Sequence, residues 1–584
     1  MNVPQAHKKR PSGNPTTRDR AVAFIVARLS SSRLPGKQFR FIGDRSMLQW
    51  IVDHLRACEE LDDIVIATVA EKENKPLRKF ARDQGLPCFW YEAEVDHVTT
   101  RLRKAAEEFN ADICILVSGD CPLIYVPGID HLIREARNHP DADVIKAAND
   151  DKGKPPALEG IEVARKRAWQ LADDLSDRPE LKEHQFPIIG RRPDLFRTRV
   201  CSLSRDLYKP YHHRLSVDTL ADLEFMNAIH DSLALIHRSF SLPNALDLLK
   251  KNPELLEINQ HVHQMGVGEE RKKVLMVVDA GNGYGYGHLM RSLELALQIT
   301  ERLGWPVAFA VDDEKARQML QETGIRTVKK AQSSKLKAQG IGGKDNLSAF
   351  QVPEFPEPFD LIILDIYYQR KLAPGWRQSF PRDSKVVVLD HVGRWTKETD
   401  LVVIPGVTYE DSICSQKERH PRTVAGKQYV ILRREIRKLQ GMHIEKNLDL
   451  LAYLYSPDQK EAVRSLACKN GFKVHVVEEF DSDFPGLLAR SRMFLSGFGY
   501  SFYEALALGA YPITLPLSDV HKTDAGKFYE RLGIPSGVLD SVAQLENALV
   551  DLAQRKLKIE IPRIGDGTPK IVEEVASLLE TEKN

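Results

Sequence analysis

Cysteine is scarce in this chain: seven among 584 residues, none set in a CxxC pair. That scarcity argues against a disulfide framework or a Cys-based zinc site, and it suits reduced packing residues in a cytoplasmic protein. No apolar run is long enough to span a bilayer. Neither sign of charge is in excess, with 83 Lys+Arg against 82 Asp+Glu, so no bulk charge favours nucleic acid or a membrane as a partner. Residues 1–19 are basic and polar but lack the apolar stretch of a secretory signal, and are expected to form a flexible arm. The two halves of the chain are not repeats of each other.

What is present is globular sequence, 42% hydrophobic and 28% charged, and too long for one core. Apolar strand-like runs at Ala21–Arg28, Ile64–Val69, Ile113–Ser118 and Leu215–Val217 alternate with helical patterns such as Met47–Cys58 and Thr100–Phe109. Strands alternating with helices imply a mostly parallel sheet covered on both faces. The pattern fades near 252–272 and restarts at Lys273–Asp279, followed by a glycine-rich turn and a helix from about Leu289. Strands are expected at Val307–Val311, Leu361–Asp365, Val386–Asp390 and Leu401–Ile404. A third set begins near Leu448 and includes Val474–Val477, Met493–Ser496 and Tyr511–Leu515. The fold class is α/β. A Rossmann-like domain at 20–250 and a linker at 251–271 precede two lobes, 272–436 and 437–584.

The first chemical constellation follows the first strand. Residues 27–37 read ARLSSSRLPGK, with Arg28, Arg33 and Lys37 among hydroxyls that include Ser32. Beyond the carboxyl end of a strand, such a loop can wrap a triphosphate. A solvated basic loop would account for any one of these cations. Asp120 and Asp218 each close a predicted strand, so both carboxylates can face one crevice. A hydroxyl attacking an α-phosphate needs a divalent cation, and Mg²⁺ favours one or two carboxylates plus phosphate oxygens.

The full string resembles the sugar-activating cytidylyltransferases, the group of the CMP-Kdo and CMP-sialate synthetases, with the SpsF-like branch as the best match. The resemblance continues through Ile42-Gly43-Asp44-Arg45-Ser46-Met47-Leu48, Ser118-Gly119-Asp120-Cys121-Pro122-Leu123 and Arg214-Leu215-Ser216-Val217-Asp218-Thr219. It implies a GT-A-like nucleotidyltransferase that uses CTP and an acidic keto-sugar. By resemblance Asp120 and Asp218 hold Mg²⁺, while Lys37, Arg28 and Arg33 neutralise the phosphates. Ser32, Gly36 and Arg101 would line the nucleotide. Glu159 and His184 would line the sugar, although a surface or core-edge histidine describes His184 equally well. Relatives carry Thr two residues after that His, where this chain has Phe186.

A second constellation sits at the restart. Residues 279–291 read DAGNGYGYGHLMR at a strand-to-helix turn. Alternating glycines let backbone approach an anion at a helix start, though such a turn alone is a weak signal. The stretch resembles the PseG-like UDP-sugar hydrolases of pseudaminic acid synthesis, which share the two-lobed GT-B fold. Further matches are Leu364-Asp365-Ile366-Tyr367-Tyr368, Leu389-Asp390-His391, Tyr429-Val430-Ile431-Leu432-Arg433-Arg434-Glu435 and Ser496-Gly497-Phe498-Gly499-Tyr500-Ser501 running on to Glu504. The resemblance implies that His288 is a metal-free general base, or else a histidine that merely caps its helix. Gly497, Gly499, Ser501 and Glu504 would hold the nucleotide, and Asp365 and Asp390 the substrate. Phe498 replaces one glycine of the family's SxGGST motif, and Tyr453–Gln459 lacks the glycines of its GGSDPxNxT loop.

Together the halves suggest two steps of nonulosonic acid synthesis: a UDP-amino-sugar cleaved by one half, a CMP-sugar made by the other. The intervening synthase would be a separate partner, and a homodimer is compatible with the resemblance. A GT-B glycosyltransferase or a non-catalytic UDP-sugar module are the alternatives for the C-terminal half.

Overall fold

The computed structural model describes residues 18–580, apart from 32, 93–96, 151–152, 155, 179–180, 183–185, 204–212, 265–268, 282–284, 329–357, 367–375, 391–397, 408–421, 479–480, 482 and 554–559. The chain divides into two units, 1–268 and 269–584. The arm expected at 1–19 lies almost wholly outside the described residues.

Unit one is built on a seven-stranded sheet. In spatial order the strands are Cys88–Tyr91, Asp63–Val69, Ala21–Val26, Ile113–Ser118, Ile161–Arg165, Val144–Ala147 and Thr198–Cys201. Ala21, Ala23 and Ile25 enter the core on one face, and Val22 and Phe24 enter it on the other. A strand buried on both faces reads as an unbroken apolar run. Ala21–Val26 pairs in parallel with Asp63–Val69 and with Ile113–Ser118. The chain moves to one side of the first strand and then to the other. This leaves a crevice beyond their carboxyl ends, where ligands of open α/β sheets bind.

Two sequence expectations change here. Leu215–Val217 joins no ladder; its Val217 N–H donates to the Asp120 carbonyl at 2.8 Å, and its entry is held by Glu159. The segment expected to begin a linker instead packs on unit one. Leu255, Leu256 and Ile258, in the short helix Pro253–Ile258, contact the core, and Asn259 is buried.

Unit two has two lobes. The first holds an all-parallel sheet ordered Arg326–Thr327, Val307–Ala310, Val274–Val278, Leu361–Asp365, Lys385–Leu389, Leu401–Ile404 and Thr423–Ala425. The second holds four parallel strands ordered Val474–Val476, Leu448–Tyr453, Ser491–Ser496 and Tyr511–Thr514. The chain crosses between lobes near residue 431: Ile431 belongs to the first core, and Val430, Leu432 and Ile436 to the second. The lobe boundary is not a single cut. Helix Thr568–Glu580 returns to the first lobe and buries Ile571, Val572, Val575 and Leu578 there. Among the described residues no helix is long and apolar enough to cross a membrane.

Candidate functional site

In unit one the loop after Ala21–Val26 folds back, with Gly36 N–H donating to Leu29 carbonyl at 2.9 Å. Gly36 has φ +66°, which favours glycine, and the short helix Lys37–Phe39 follows. That turn buries Lys37. Its ammonium donates to Asp120 Oδ2 at 2.7 Å, Asp218 Oδ1 at 2.8 Å and the Val217 carbonyl at 2.9 Å. Burial opposes the charge on Lys37, but Asp120 and Asp218 outweigh it and raise the pKa. Burial likewise opposes ionisation of Asp218, while Lys37 and Arg33 hold it well below the usual carboxylate range. Ser118 Oγ donates to Asp120 Oδ1 at 2.6 Å, and Arg33 pairs with Asp218 Oδ2 at 2.9 Å.

The remaining cations form a second layer. Arg101, on helix Val98–Glu108, is 1% exposed, and its Nε and Nη1 have no hydrogen-bond partner. Burial first and Arg28 second push its pKa down to about 10. A buried guanidinium with unsatisfied N–H groups beside a second guanidinium is a ready site for an anion. Glu159 accepts the N–H groups of Leu215 and Ser216 at 2.9 and 3.2 Å, which anchors the segment carrying Asp218. Phe186 is buried and stacked on Trp169 with centroids 4.9 Å apart, so it is a core residue. Ser32 and His184 lie outside the described residues.

Among the described residues there is no group of three or more His, Cys, Asp or Glu able to hold a metal. The donor set at Asp120 and Asp218 is instead a carboxylate pair converging on one cation position. Such a pair suits Mg²⁺ that takes its other ligands from phosphate and water.

In unit two a cavity of about 600 Å³ is lined by His288, Asp390, Gly497, Gly499, Ser501 and Glu504, with Tyr286, Tyr453, Phe484, Phe498 and Tyr500 around them. The glycine turn closes with Gly281 N–H on the Gly285 carbonyl at 2.9 Å, and helix Gly287–Leu303 follows. His288, Arg291 and Ser292 share a face of that helix, at i, i+3 and i+4. All three reach Asp365, which is completely buried at the end of Leu361–Asp365. His288 Nδ1 is 2.7 Å from Oδ1, Arg291 binds both oxygens at 2.6 and 2.9 Å, and Ser292 Oγ donates to Oδ2 at 2.7 Å. Arg291 also reaches Asp390 Oδ2 at 2.9 Å. Burial opposes the Asp365 charge, yet Arg291 and His288 hold its pKa well below the ordinary range. With a proton on Nδ1 directed at Asp365, Nε2 would be the ring nitrogen that carries the lone pair. Asp365, expected to touch substrate, stands behind His288 and does not line the cavity.

Two cavity residues adopt the left-handed region without being glycine: Asp390 at φ +57° and Phe498 at φ +69°. The second lies in the turn that leads into helix Ser501–Ala507. That position of the turn requires a conformation natural to glycine, and the phenylalanine costs about 1–2 kcal/mol there. Its ring is held by edge contacts to Phe502 and Phe528, centroids 5.2 and 5.8 Å away. Glu504 is gripped by Arg433 through both oxygens, at 2.5 and 2.6 Å.

Residues 22–235 match the cytidylyltransferase family. The matched stretch holds Lys37, Asp120 and Asp218. The chain is 25% identical to the spore coat polysaccharide biosynthesis protein SpsF of Bacillus subtilis over 238 residues, 40% of this chain and 95% of that protein. It is 35% identical to the 3-deoxy-manno-octulosonate cytidylyltransferase of Acidobacterium capsulatum over 103 residues, 18% of this chain and 40% of that protein. Among solved structures, MurG of Acinetobacter baumannii aligns with 52% of this chain and 99% of its own length, at 11% identity and a TM-score of 0.35.

In unit one, sequence reasoning missed the support behind Asp218. Arg214 donates to Asp218 Oδ2 at 3.0 Å and is paired with Asp222. Asp222 accepts from Asn259 Nδ2 at 2.8 Å, and Asn259 Oδ1 meets His213 Nε2 at 2.6 Å. One signal was available: Thr219-x-x-Asp222 forms a capping box at the start of helix Leu220–Leu235.

Proposed function

We propose that the N-terminal domain transfers CMP from CTP to an acidic keto-sugar with release of pyrophosphate, and that unit two hydrolyses a UDP-amino-sugar to free sugar and UDP. Both steps belong to synthesis of a sialic-acid-like nonulosonic acid in the cytoplasm, with a separate synthase between them. The observation that carries the reading is the meeting of Asp120, Asp218 and Lys37 at the crevice, with oxygens 2.7 and 2.8 Å from one ammonium. The cytidylyltransferase activity of the 3-deoxy-manno-octulosonate relative supports an acidic sugar as acceptor.

In the transfer, a sugar hydroxyl oxygen bonds to the α-phosphorus, the bond to the pyrophosphate oxygen breaks, and the hydroxyl proton leaves to solvent or a base. Asp120 and Asp218 would hold Mg²⁺, which supplies neutralisation of the phosphate charge. Lys37, Arg33, Arg28 and Arg101 bind the triphosphate and stabilise the charge that moves onto pyrophosphate. A mass-spectrometric screen of keto-acid sugars with CTP and Mg²⁺ tests the reaction. Asp120→Asn is expected to abolish CMP transfer and leave unit two's activity unchanged; undiminished CTP turnover in that variant removes the carboxylate from the mechanism.

In unit two, Asp365 orients His288 so that Nε2 can take a proton from water as the water oxygen bonds to the anomeric carbon and UDP departs with the bonding pair. A UDP-sugar-binding module without turnover is the second reading. It is favoured by Phe498 filling the glycine turn and by Arg433 occupying both Glu504 oxygens. Incubation with UDP-sugars separates the readings: UDP plus free sugar supports hydrolysis, turnover only with an acceptor supports transfer, and binding alone supports the module.

A further inference from the structure

The ammonium of Lys37 stands where a divalent ion between Asp120 and Asp218 would stand. Its three oxygen neighbours lie at 2.7, 2.8 and 2.9 Å, which are N–H···O lengths. Magnesium draws its oxygens in to about 2.0–2.1 Å, so the two cations cannot share the position. Resting on the cytidylyltransferase reading, we propose that Lys37 is a built-in competitor for the metal. In nucleotide-free protein its ammonium holds the carboxylate pair, and the divalent ion gains the pair once a triphosphate draws Lys37 away.

The surrounding charges support the exchange. Three cations, Lys37, Arg33 and Arg214, face the two carboxylates. A divalent ion entering without an added anion meets all three; the triphosphate reverses that balance by bringing several negative charges. Arg214 cannot follow the nucleotide, because its second nitrogen is paired with the fully buried Asp222, which Asn259 holds in turn. Lys37 has no such second carboxylate layer. Its point charge rides a flexible four-carbon stem, and the stem can turn while the loop stays in place. Metal and nucleotide therefore bind with positive, reciprocal coupling.

The test is binding of Mn²⁺ to the full-length protein, read by electron paramagnetic resonance of the free ion, with and without a non-hydrolysable CTP analogue. Chelation by the analogue alone is measured separately. Lys37→Met is expected to tighten nucleotide-free Mn²⁺ binding by about tenfold or more and to shrink the gain that the analogue brings. Lys37→Gln, which removes the charge but keeps a polar end, is expected to move the same way if the methionine variant does not fold. Unchanged or weaker nucleotide-free binding in a folded variant overturns the competition. Asp120→Asn identifies which reading has failed. If that variant binds Mn²⁺ as the wild type does with the analogue present, the carboxylate pair is not the metal site and both readings fall. If it loses the metal while the Lys37 variants stay at the wild-type value, the competition alone falls.

Discussion

Replacing Asp365 by Asn removes one charge and one acceptor from a wholly buried cluster. Four donors converge on this carboxylate: His288 Nδ1 and Arg291 Nη2 on Oδ1, Arg291 Nε and Ser292 Oγ on Oδ2. An amide offers one oxygen and one NH₂. Whichever way it is turned, its NH₂ meets an N–H of Arg291, while Ser292 and His288 can reverse their roles. Arg291 is 4% exposed and would keep only Asp390 as a counter-charge. Breaking one partner of a buried pair costs about 3–5 kcal/mol. At about 2 °C per kcal/mol for a unit of this size, the melting transition of unit two should fall by roughly 6–10 °C. Differential scanning calorimetry of the full chain reads it, and the transition of unit one should stay in place. Under the proposed hydrolysis, UDP release should fall further than stability explains, by about 10³–10⁴, because His288 loses the partner that orients it. A shift below about 2 °C with wild-type UDP release would refute both the ion-pair and the orientation reasoning.

Three further outcomes follow from the crevice of unit one. Gly160→Ala would place a Cβ 2.6 Å from Cys121 Sγ and 2.8 Å from Ser118 Cβ at φ +71°. Urea denaturation should show a loss of about 1–3 kcal/mol, with reduced CTP turnover because Ser118 supports Asp120. Arg101→Met removes a buried guanidinium with unsatisfied nitrogens, so stability should hold or rise while KM for CTP rises by about tenfold; an unchanged KM would remove Arg101 from the nucleotide site. On acidification, the depressed pKa of Asp218 contributes stability that is present above the unfolded value near 3.9 and is lost as pH falls through the folded value. The urea midpoint of unit one should thus decline below about pH 4 and decline less in Lys37→Met; equal slopes in the two proteins would show that Lys37 does not hold that charge.

The central strands were legible because burial on both faces leaves an unbroken apolar run, as in Ala21–Val26 and Val274–Val278. The edges were not. Thr198–Cys201 is exposed at three of its four residues and carries no apolar period. Leu215–Val217 had a strand's composition, but its neighbour is a single turn carbonyl and not a ladder. The members of the cluster, Lys37, Asp120 and Asp218, could be named from sequence, yet the direct bonds between lysine and aspartates could not, since they close loops of 83 and 181 residues. Local periodicity could have offered Arg291 and Ser292 as companions of His288, one turn on along its helix. Arg433 gripping Glu504 across 71 residues leaves no local trace. The return of Thr568–Glu580 to the first lobe is likewise a long-range choice, made by where its apolar stripe finds a partner.

Both candidate sites hold a cation between two carboxylates: Lys37 between Asp120 and Asp218, Arg291 between Asp365 and Asp390. The cations differ in ways that decide what each can do. Arg291 rises from a helix interior and grips Asp365 with two nitrogens, and a third nitrogen reaches Asp390. Releasing it would strand several buried donors at once, so this cation is permanent and serves to shape His288. Lys37 is a point charge at the start of a single helical turn, with its carboxylates 24% and 19% exposed at the mouth of a crevice. Releasing it strands little, provided another cation takes its place. The same charge arrangement is therefore a fixed scaffold in unit two and an exchangeable one in unit one, and the exchangeable one lies where phosphate chemistry would need a metal ion.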